Sequence, residues 1–279
     1  MANPTSFSAD TFRFSTSFHL NDSVMIYGGY SEGFNSGGVS RYVDSQGEVT
    51  LSFSPEEIQN YEVGLRADLL DKSLRVNATA FRTDWNGIQY LSTVRDRGNG
   101  QEVTELVLQN AADGRAQGVE LETTWLATDA LSLNANLGFL KTKYISSQSA
   151  ALPVDSDFAR APSKTLNFGA TYKWSSVFGG DLTARVVSNY WGSYWRASTL
   201  ELRQNFQGLQ NEAEAGDNWI HNANLTWAPD SGKYEVSAWI NNITDTYNYN
   251  SGFMHGIWQF DFSTVDRPRE YGVTFKAKF

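Results

Sequence analysis

Strict alternation of apolar and polar residues is the dominant pattern along this chain. In the closing segment EYGVTFKAKF, Tyr271, Val273 and Phe275 share one parity, whereas Glu270 and Lys276 occupy the other. Successive side chains of a β-strand point to opposite faces of a sheet, so this period predicts strands with one apolar and one polar face. The apolar spacing of an amphipathic helix is hard to find anywhere. The pattern therefore predicts an all-β fold.

About eleven segments follow this alternation, and most reach the ~9–11 residues that a tilted strand needs to cross a bilayer. Strands of soluble proteins are usually about 5–6 residues long. Segment length therefore favours membrane-spanning strands. The predicted strands lie near residues 11–20, 23–34, 58–70, 73–91, 107–127, 131–144, 164–176, 180–195, 218–228, 233–244 and 270–279.

The connections between these segments alternate between short and long. Short turns at one end of the strands and long loops at the other are typical of an outer-membrane barrel, and a soluble sandwich has no reason to sort its loops this way. The short connections are 21–22, 71–72, 128–130, 175–180 and 229–232. The long ones are polar, rich in Gly and Asn, and lie near 35–57, 92–106, 145–163, 196–217 and 245–269.

Tryptophan and tyrosine residues of the apolar parity fall near both ends of the predicted strands. Such rings favour the membrane–water boundary because their polar atoms reach water there. Two aromatic belts are the favoured interpretation, and the aromatic core of a soluble barrel is the alternative. The residues beside the short turns are Trp125, Trp174, Trp227 and Tyr234, and those at the opposite ends are Tyr30, Tyr61, Tyr190 and Tyr271.

Composition narrows the function classes. The 279 residues include 9 Trp, 13 Tyr and 17 Phe but no Cys, so disulfides and thiolate metal sites are excluded. The formal net charge of −9 argues against nucleic acid as a partner. The mean hydropathy is −0.42, and no apolar run reaches about 18 residues, so we expect no transmembrane helix. Barrel strands, which are only half apolar, agree with these values.

Charged residues of the polar parity cannot face lipid cheaply, since a basic residue at the midplane of a barrel's outer face costs ~2–4 kcal/mol. We expect them to face an enclosed interior, where they are solvated, contact a plug domain or line a substrate path. They are Glu62, Arg66, Asp68, Arg75, Glu120, Glu122, Lys173, Arg185 and Lys276.

Catalytic motifs are lacking in the sequence. The three histidines each stand alone, and no nucleophile elbow, paired-cysteine or His-Glu-x-x-His pattern accompanies them. We expect no enzyme activity, no metal site and no cofactor. His19 is predicted to be a wet interior residue, His221 to lie at the membrane interface, and His255 to sit in a long loop.

A series of short motifs runs along nearly the whole chain. They are YSEGFNSGG at 30–38, NYEVG at 60–64, QGVELE at 117–122, NITD at 242–245 and PREYG at 268–272, before the terminal Phe279. Their order and spacing together resemble the C-terminal half of the barrel of TonB-dependent outer-membrane receptors.

The resemblance implies a role in uptake. Receptors of this family bind scarce large solutes, typically ferric siderophores and sometimes cobalamin or glycans, and import them with energy that TonB delivers. Their barrel has 22 strands and a plugged lumen. About eleven strands is half of that number, so we expect residues 1–279 to be the C-terminal part of an antiparallel transmembrane β-barrel in the bacterial outer membrane, without the plug or the TonB-contacting segment. The implied partners are outer-membrane lipid, the N-terminal plug and barrel half, and TonB through that plug.

Aromatic residues in two long loops are the predicted substrate-binding residues. Their rings could stack on catecholates or sugars. Packing of the loops against each other is an equally open interpretation. They are Trp191, Tyr194 and Trp195 in one group and Tyr247, Tyr249 and Trp258 in the other.

The final segment also resembles the signal that the barrel-assembly machinery reads, through Tyr271, Phe275 and Phe279. Two other functions stay open beside the receptor. A small passive porin would need an even number of strands and a pore-lining loop, and a membrane-barrel enzyme would depend on His221 or His255.

Overall fold

Seventeen strands make up the regular structure of the described part of the chain. The computed structural model describes residues 7–44, 47–96, 103–196, 214–255 and 260–278. In chain order the strands are β1 (Arg13–Asn21), β2 (Val24–Asn35), β3 (Gly38–Asp44), β4 (Gly47–Phe53), β5 (Glu56–Leu69), β6 (Leu74–Asp96), β7 (Val103–Leu126), β8 (Leu131–Ser147), β9 (Lys164–Trp174), β10 (Gly180–Trp191), β11 (Tyr194–Trp195), β12 (Glu214–Ala215), β13 (Asn218–Pro229), β14 (Tyr234–Asn241), β15 (Tyr249–His255), β16 (Phe260–Val265) and β17 (Glu270–Ala277).

Eleven of these strands form one antiparallel sheet in the order β1-β2-β5-β6-β7-β8-β9-β10-β13-β14-β17. Each strand of the sheet pairs with the sheet strand before it along the chain, so the sheet is a simple meander. The prediction of an all-β fold with about eleven long strands is confirmed. No helix in the described part of the chain is long and apolar enough to cross a bilayer.

The long connections are more ordered than the sequence analysis expected. Within the described residues, hairpins β3–β4 and β15–β16 occupy much of 35–57 and 245–269. Strands β6 and β7 continue to Asp96 and from Val103, so the predicted loop 92–106 is largely a hairpin arm. β-branched residues such as Thr93, Val94 and Thr104 favour this extension. The loop prediction was therefore wrong at these places, and His255 ends β15 instead of lying in irregular chain.

The pairing register gives the sheet two chemically distinct faces, because cross-strand partners lie on the same face. Tyr30 pairs with Tyr61, and Ile26 with Leu65, on what we call the apolar face. The opposite face, here the polar face, holds all nine charged residues predicted to point inward. Large exposed side chains of the apolar face are Phe14, Phe18, Val63, Val119, Phe139, Phe168, Leu225, Val273 and Phe275.

The apolar face has nothing packed against it in the described structure. The accessible surface is 18214 Å², whereas a folded soluble protein of this mass exposes about 12,000 Å². Only seven hydrophobic residues among those described are buried, and five of them are alanine or valine. Two sheets packed face to face would bury both apolar stripes. The alternative of a soluble protein with these aromatic residues in its core is therefore wrong.

Aromatic rings line both margins of the apolar face, as predicted. At the long-loop end, the ring centroids of Tyr30 and Tyr61 are 5.0 Å apart, and Tyr190 lies 5.0 Å from Trp219. At the short-turn end the ring centroids also lie close, at 4.6 Å for Tyr172–Trp174, 5.9 Å for Trp227–Tyr234 and 5.8 Å for Tyr234–Phe275.

The strands are strongly tilted relative to these two margins. One row of cross-strand partners starts at Trp125 beside a short turn and ends at Tyr271 on the opposite margin. The same row reaches Leu69 on β5, eight residues beyond the marginal Tyr61. The margin therefore shifts by about one residue per strand, as the stagger of a closed barrel requires.

Strands β1 and β17 are the two edges of the sheet, and each pairs on one side only. The hydrogen bonds Glu32 N→Phe12 O and Lys278 N→Lys233 O show which residues of each edge strand bond to the neighbouring strand. The backbone groups of every second residue therefore point away from the sheet, which leaves about eight N–H and C=O groups unpaired on each edge. Because the sheet has an odd number of strands, both edges run from the long-loop end to the short-turn end.

Candidate functional site

A chain of asparagine amides crosses three strands of the polar face. Asn167 on β9 accepts hydrogen bonds from the Nδ2 atoms of Asn134 and Asn136 on β8, at 3.1 and 3.5 Å. Its own Nδ2 donates to Asn189 on β10 at 2.6 Å. Partners in register bring these amides together, and the short side chains cannot reach each other without that register. This ladder was not predicted, although asparagine on the polar parity of adjacent strands is a sequence signal for it.

A shallow cavity of about 280 Å³ opens beside the ladder on the polar face. The Nδ2 atom of Asn77 donates to Glu122 Oε2 at 3.4 Å and helps to orient that carboxylate. Amides, carboxylates and one indole together offer both donors and acceptors to a polar solute. The side chains on the polar face that line the cavity are Glu120, Glu122, Asn136, Thr165, Asn167, Asn189 and Trp191.

Trp191 lies at the outer end of this cavity. It is the last residue of β10 and belongs to the polar face, where it pairs with Asn218, and its side chain is 38 % exposed. Asn218 is buried, and neither atom of its amide has a hydrogen-bond partner in the described structure. A buried amide without partners is costly, so the position is suited to a polar group supplied by a ligand or water.

The segment 148–163 folds over the long-loop end of the polar face. Phe158 N donates to Thr142 Oγ1 at 3.0 Å, and the Phe158 ring lies 4.8 Å from Tyr144 and 6.1 Å from Trp85. Leu152 is almost fully buried in the same cluster. This segment was predicted as a long polar loop, and the cluster was not predicted because its apolar residues carry no strand period.

The two groups of predicted aromatic residues lie close together. The backbone oxygen of Trp195 accepts from Arg160 N at 2.7 Å, which connects β11 to segment 148–163. The buried guanidinium of Arg196 donates to Glu214 O at 3.2 Å and to Asn248 Oδ1 at 3.4 Å.

The individual residues of the two groups are placed unequally. Tyr194 pairs with Ala215 in the small β11–β12 hairpin. Tyr247 stands next to Asn248 and is 67 % exposed. Tyr249 begins β15, but its side chain and Trp258 lie outside the described part of the chain. The structure thus joins the two groups through Arg196, and of the six residues it turns Trp191 into the polar cavity.

Ion pairs occupy the short-turn end of the polar face. They join Arg75 Nε to Asp68 Oδ1 at 2.7 Å and Lys173 Nζ to Asp181 Oδ2 at 2.6 Å. Lys276 Nζ lies 3.1 Å from Glu235 Oε1 in the same way. Cross-strand pairing within the wall therefore neutralises much of the charge at this end.

The histidines form no catalytic arrangement in the described structure. His221 lies on the apolar face, where its Nδ1 is 2.8 Å from Ser188 Oγ and its ring stacks on Trp219. No carboxylate bonds to that ring among the described residues, so the third group of a Ser–His triad is lacking. His19 faces the polar side beside Arg66 and Asp68, as predicted. No cluster of three possible metal ligands occurs in the described ranges.

The family comparison matches most of the chain. Residues 2–243 match the family model described as TonB dependent receptor-like, beta-barrel. The chain belongs to this family. Members of the TonB-dependent receptor family are transport receptors of the bacterial outer membrane, so this chain is an outer-membrane protein. Barrels in that membrane turn an apolar face to lipid and a polar face to the lumen.

Solved structures share the fold of the receptor chain. The ferric yersiniabactin uptake receptor FyuA from Yersinia pestis aligns with a TM-score of 0.74 and 18% identity, over 96% of this chain and 37% of FyuA. PiuA, a siderophore receptor from Acinetobacter baumannii, gives 0.69 and 15% identity, over 95% and 35%. The ferric-catecholate import receptor Fiu from E. coli K12 gives 0.67 and 16%, over 94% and 34%. The chain thus spans about a third of the length of these receptors.

Proposed function

We propose that this chain forms the C-terminal part of the barrel wall of an active-transport receptor for a ferric siderophore or another large scarce solute. Membership of the TonB-dependent receptor family supports the proposal, as do neighbours named for ferric yersiniabactin uptake and ferric-catecholate import. In this proposal residues 1–279 are all barrel wall. A plug and the rest of the barrel come from sequence N-terminal to it, and TonB acts through that plug.

The lumenal cavity is the observation in this chain that carries the proposal. A passive wall needs only solvated side chains, whereas here amides, carboxylates and the Trp191 indole converge beside an amide that has no partner. An indole stacks on a catecholate ring or on a sugar face, and amides bind the surrounding oxygens. The cavity would therefore hold the solute as it passes from the loops toward the plug.

An uptake assay with a matched pair of tryptophan variants tests this role. In cells that produce the complete receptor, Trp191→Ala should raise the iron-labelled siderophore concentration that gives half-maximal uptake by about 2- to 12-fold. That factor corresponds to the loss of one aromatic stacking interaction. Trp174→Ala, on the lipid face at the other margin, should leave half-saturation unchanged. Equal effects of both variants at equal levels of folded protein would contradict the site.

Loss of TonB separates this receptor from the porin alternative. Uptake should then stop, and bilayers that contain the protein should show no open-pore conductance. Uptake without TonB that rises linearly with solute concentration would identify a passive pore. Eleven strands in the described sheet already disfavour a porin made of this chain alone, because bacterial single-chain barrels have even numbers.

The exposed edge strand β17 supports a second partner in this proposal, the barrel-assembly machinery. Tyr271 is 78 % exposed on the apolar face and alternates with Val273 and Phe275, so an extended partner can reach all three. Phe279 lies outside the described residues. This recognition would precede transport and act only while the wall is being built.

A further inference from the structure

Among the described residues, basic side chains interrupt the apolar face at one place, on four neighbouring strands. Arg82 on β6, Gln117 on β7 and Lys141 on β8 form one row of cross-strand partners. Lys164 on β9 pairs with Phe139, one position below Lys141 on the same face. All four polar side chains are exposed. We call Arg82, Gln117, Lys141 and Lys164 the basic patch.

The basic patch lies just beyond the outer aromatic margin. Arg82 pairs with Tyr61, which marks that margin on β5. Because the margin shifts by about one residue per strand, Arg82 stands about one residue beyond it and Lys141 about three. At ~2.5 Å of height per tilted residue, the cations sit ~3–8 Å above the hydrocarbon boundary. Headgroups, rather than acyl chains, occupy that depth.

A depression in the wall connects the patch to the hydrocarbon zone. It has a volume of about 420 Å³ and contains Arg82, Gln117 and Lys141 at its outer side. Val119 and Phe139, both exposed, lie at its membrane side. Cations above and apolar side chains below repeat the order of a lipid molecule, whose charged headgroup stands above its chains.

Two carboxylates lie beside the basic patch, and they pair with only one of its three cations. Asp84 accepts from Arg82 Nη2 at 2.8 Å and from Arg115 Nε at 2.6 Å, which fixes both guanidinium groups. Lys143 lies 3.2 Å from Asp155. Lys141 and Lys164 make no ion pair within the described ranges, so their charges are available to a ligand.

Charge complementarity identifies the ligand class. The whole chain carries a net charge of −9, so a local surplus of cations stands out. Elsewhere the outer margin is aromatic, for example at Tyr190 and Trp219. Guanidinium and ammonium groups that converge at headgroup depth match phosphate oxygens, and the amide of Gln117 adds a neutral donor.

We propose that the basic patch binds the phosphate of an outer-leaflet lipid headgroup, with an acyl chain of that lipid lying over Val119 and Phe139. The site is on the outside of the barrel, so it is separate from the lumenal cavity and does not depend on the transported solute. One lipid held there would anchor β6 to β9 against the leaflet.

Lipid binding to the detergent-solubilised complete receptor tests the site. The probe is bisphosphorylated lipid A, compared with its phosphate-free form, and native mass spectrometry counts the lipids that each barrel retains. The variant R82Q/K141Q/K164Q should lose at least about tenfold in affinity for the phosphorylated lipid, since each charge-assisted contact is strong. The control R66Q/K173Q/R185Q removes the same charge from the lumen and should keep wild-type affinity.

Each outcome decides the proposal. A selective loss in the patch variant, with no preference left for the phosphorylated form, supports it. Equal loss in both variants would mean that net charge alone attracts the lipid, and no loss in either would mean that the patch is merely solvated. Competition by millimolar inorganic phosphate would reveal a free-anion site and overturn the assignment to lipid. A folded, heat-modifiable barrel in every sample shows that misfolding does not produce the result.

Discussion

The two free edges of the sheet lead to a strong prediction about this chain produced by itself. Diluted from denaturant into detergent micelles or phosphatidylcholine vesicles, residues 1–279 should not yield an inserted monomer. Strands β1 and β17 would present unpaired N–H and C=O groups to hydrocarbon, where neither water nor protein can satisfy them. Edge-to-edge association or aggregation removes that penalty and should dominate.

The magnitude follows from the hydrogen-bond alternation at the edges. About eight backbone groups are free on each edge strand, and each costs several kcal/mol in hydrocarbon. If half of them reach interfacial water, the remainder still amounts to ~20–40 kcal/mol. Net stabilities of folded domains are ~5–15 kcal/mol. The open wall therefore cannot offset its edges by packing.

Heat modifiability on a cold gel is the direct assay. The chain alone should migrate as unfolded or aggregated material, before and after boiling. Mixing it with the proposed N-terminal wall should produce a compact band that boiling converts to the unfolded one. A compact, protease-resistant monomer formed by the chain alone would refute the reasoning, because it would show that lipid or the chain itself satisfies the edges.

Other predictions concern the completed barrel. Leu65→Lys, near mid-membrane on the lipid face, should reduce the free energy of unfolding in urea by ~2–4 kcal/mol. Glu62→Lys on the lumen face should change that free energy by far less. Equal losses in the two variants would contradict the assignment of the faces. Gly169→Ala places a Cβ against the Asn134 amide, so the asparagine ladder must shift. The solute concentration that gives half-maximal uptake should rise several-fold without loss of folded protein. Phe275→Ala should slow assembly in cells more than Leu65→Ala does, measured as the rate at which the heat-modifiable form appears; similar rates would remove the recognition role.

Much of the architecture could be predicted from the sequence because a period of two is a local property. The parity of Val63 or Val119 follows from nearest neighbours, and so do the eleven strands and both aromatic margins. The hairpins in the long connections were missed because Gly and Asn obscure the period there. Segment 148–163 was missed because tertiary packing of Leu152 and Phe158, rather than alternation, determines its fold.

The candidate site was predicted only in part. Trp191 was selected as an aromatic residue at a loop, but its direction depends on the parity of β10, which ends at that residue. The ladder centred on Asn167 and the unpartnered amide of Asn218 depend on the register between neighbouring strands. Register is a long-range quantity, and one sequence by itself does not reveal it.

The odd number of strands has a consequence for what can complete this wall. Pairing β1 of one molecule with β17 of a second would place two strands side by side that run in the same direction. An antiparallel cylinder does not contain such a parallel pair. Two copies joined edge to edge in this way therefore cannot form a fully antiparallel cylinder. A complement that closes the wall with antiparallel pairs throughout must itself be odd in strand number, and both of its outermost strands must run toward the cell exterior. That polarity is a topological criterion for recognising the complement, whatever its sequence.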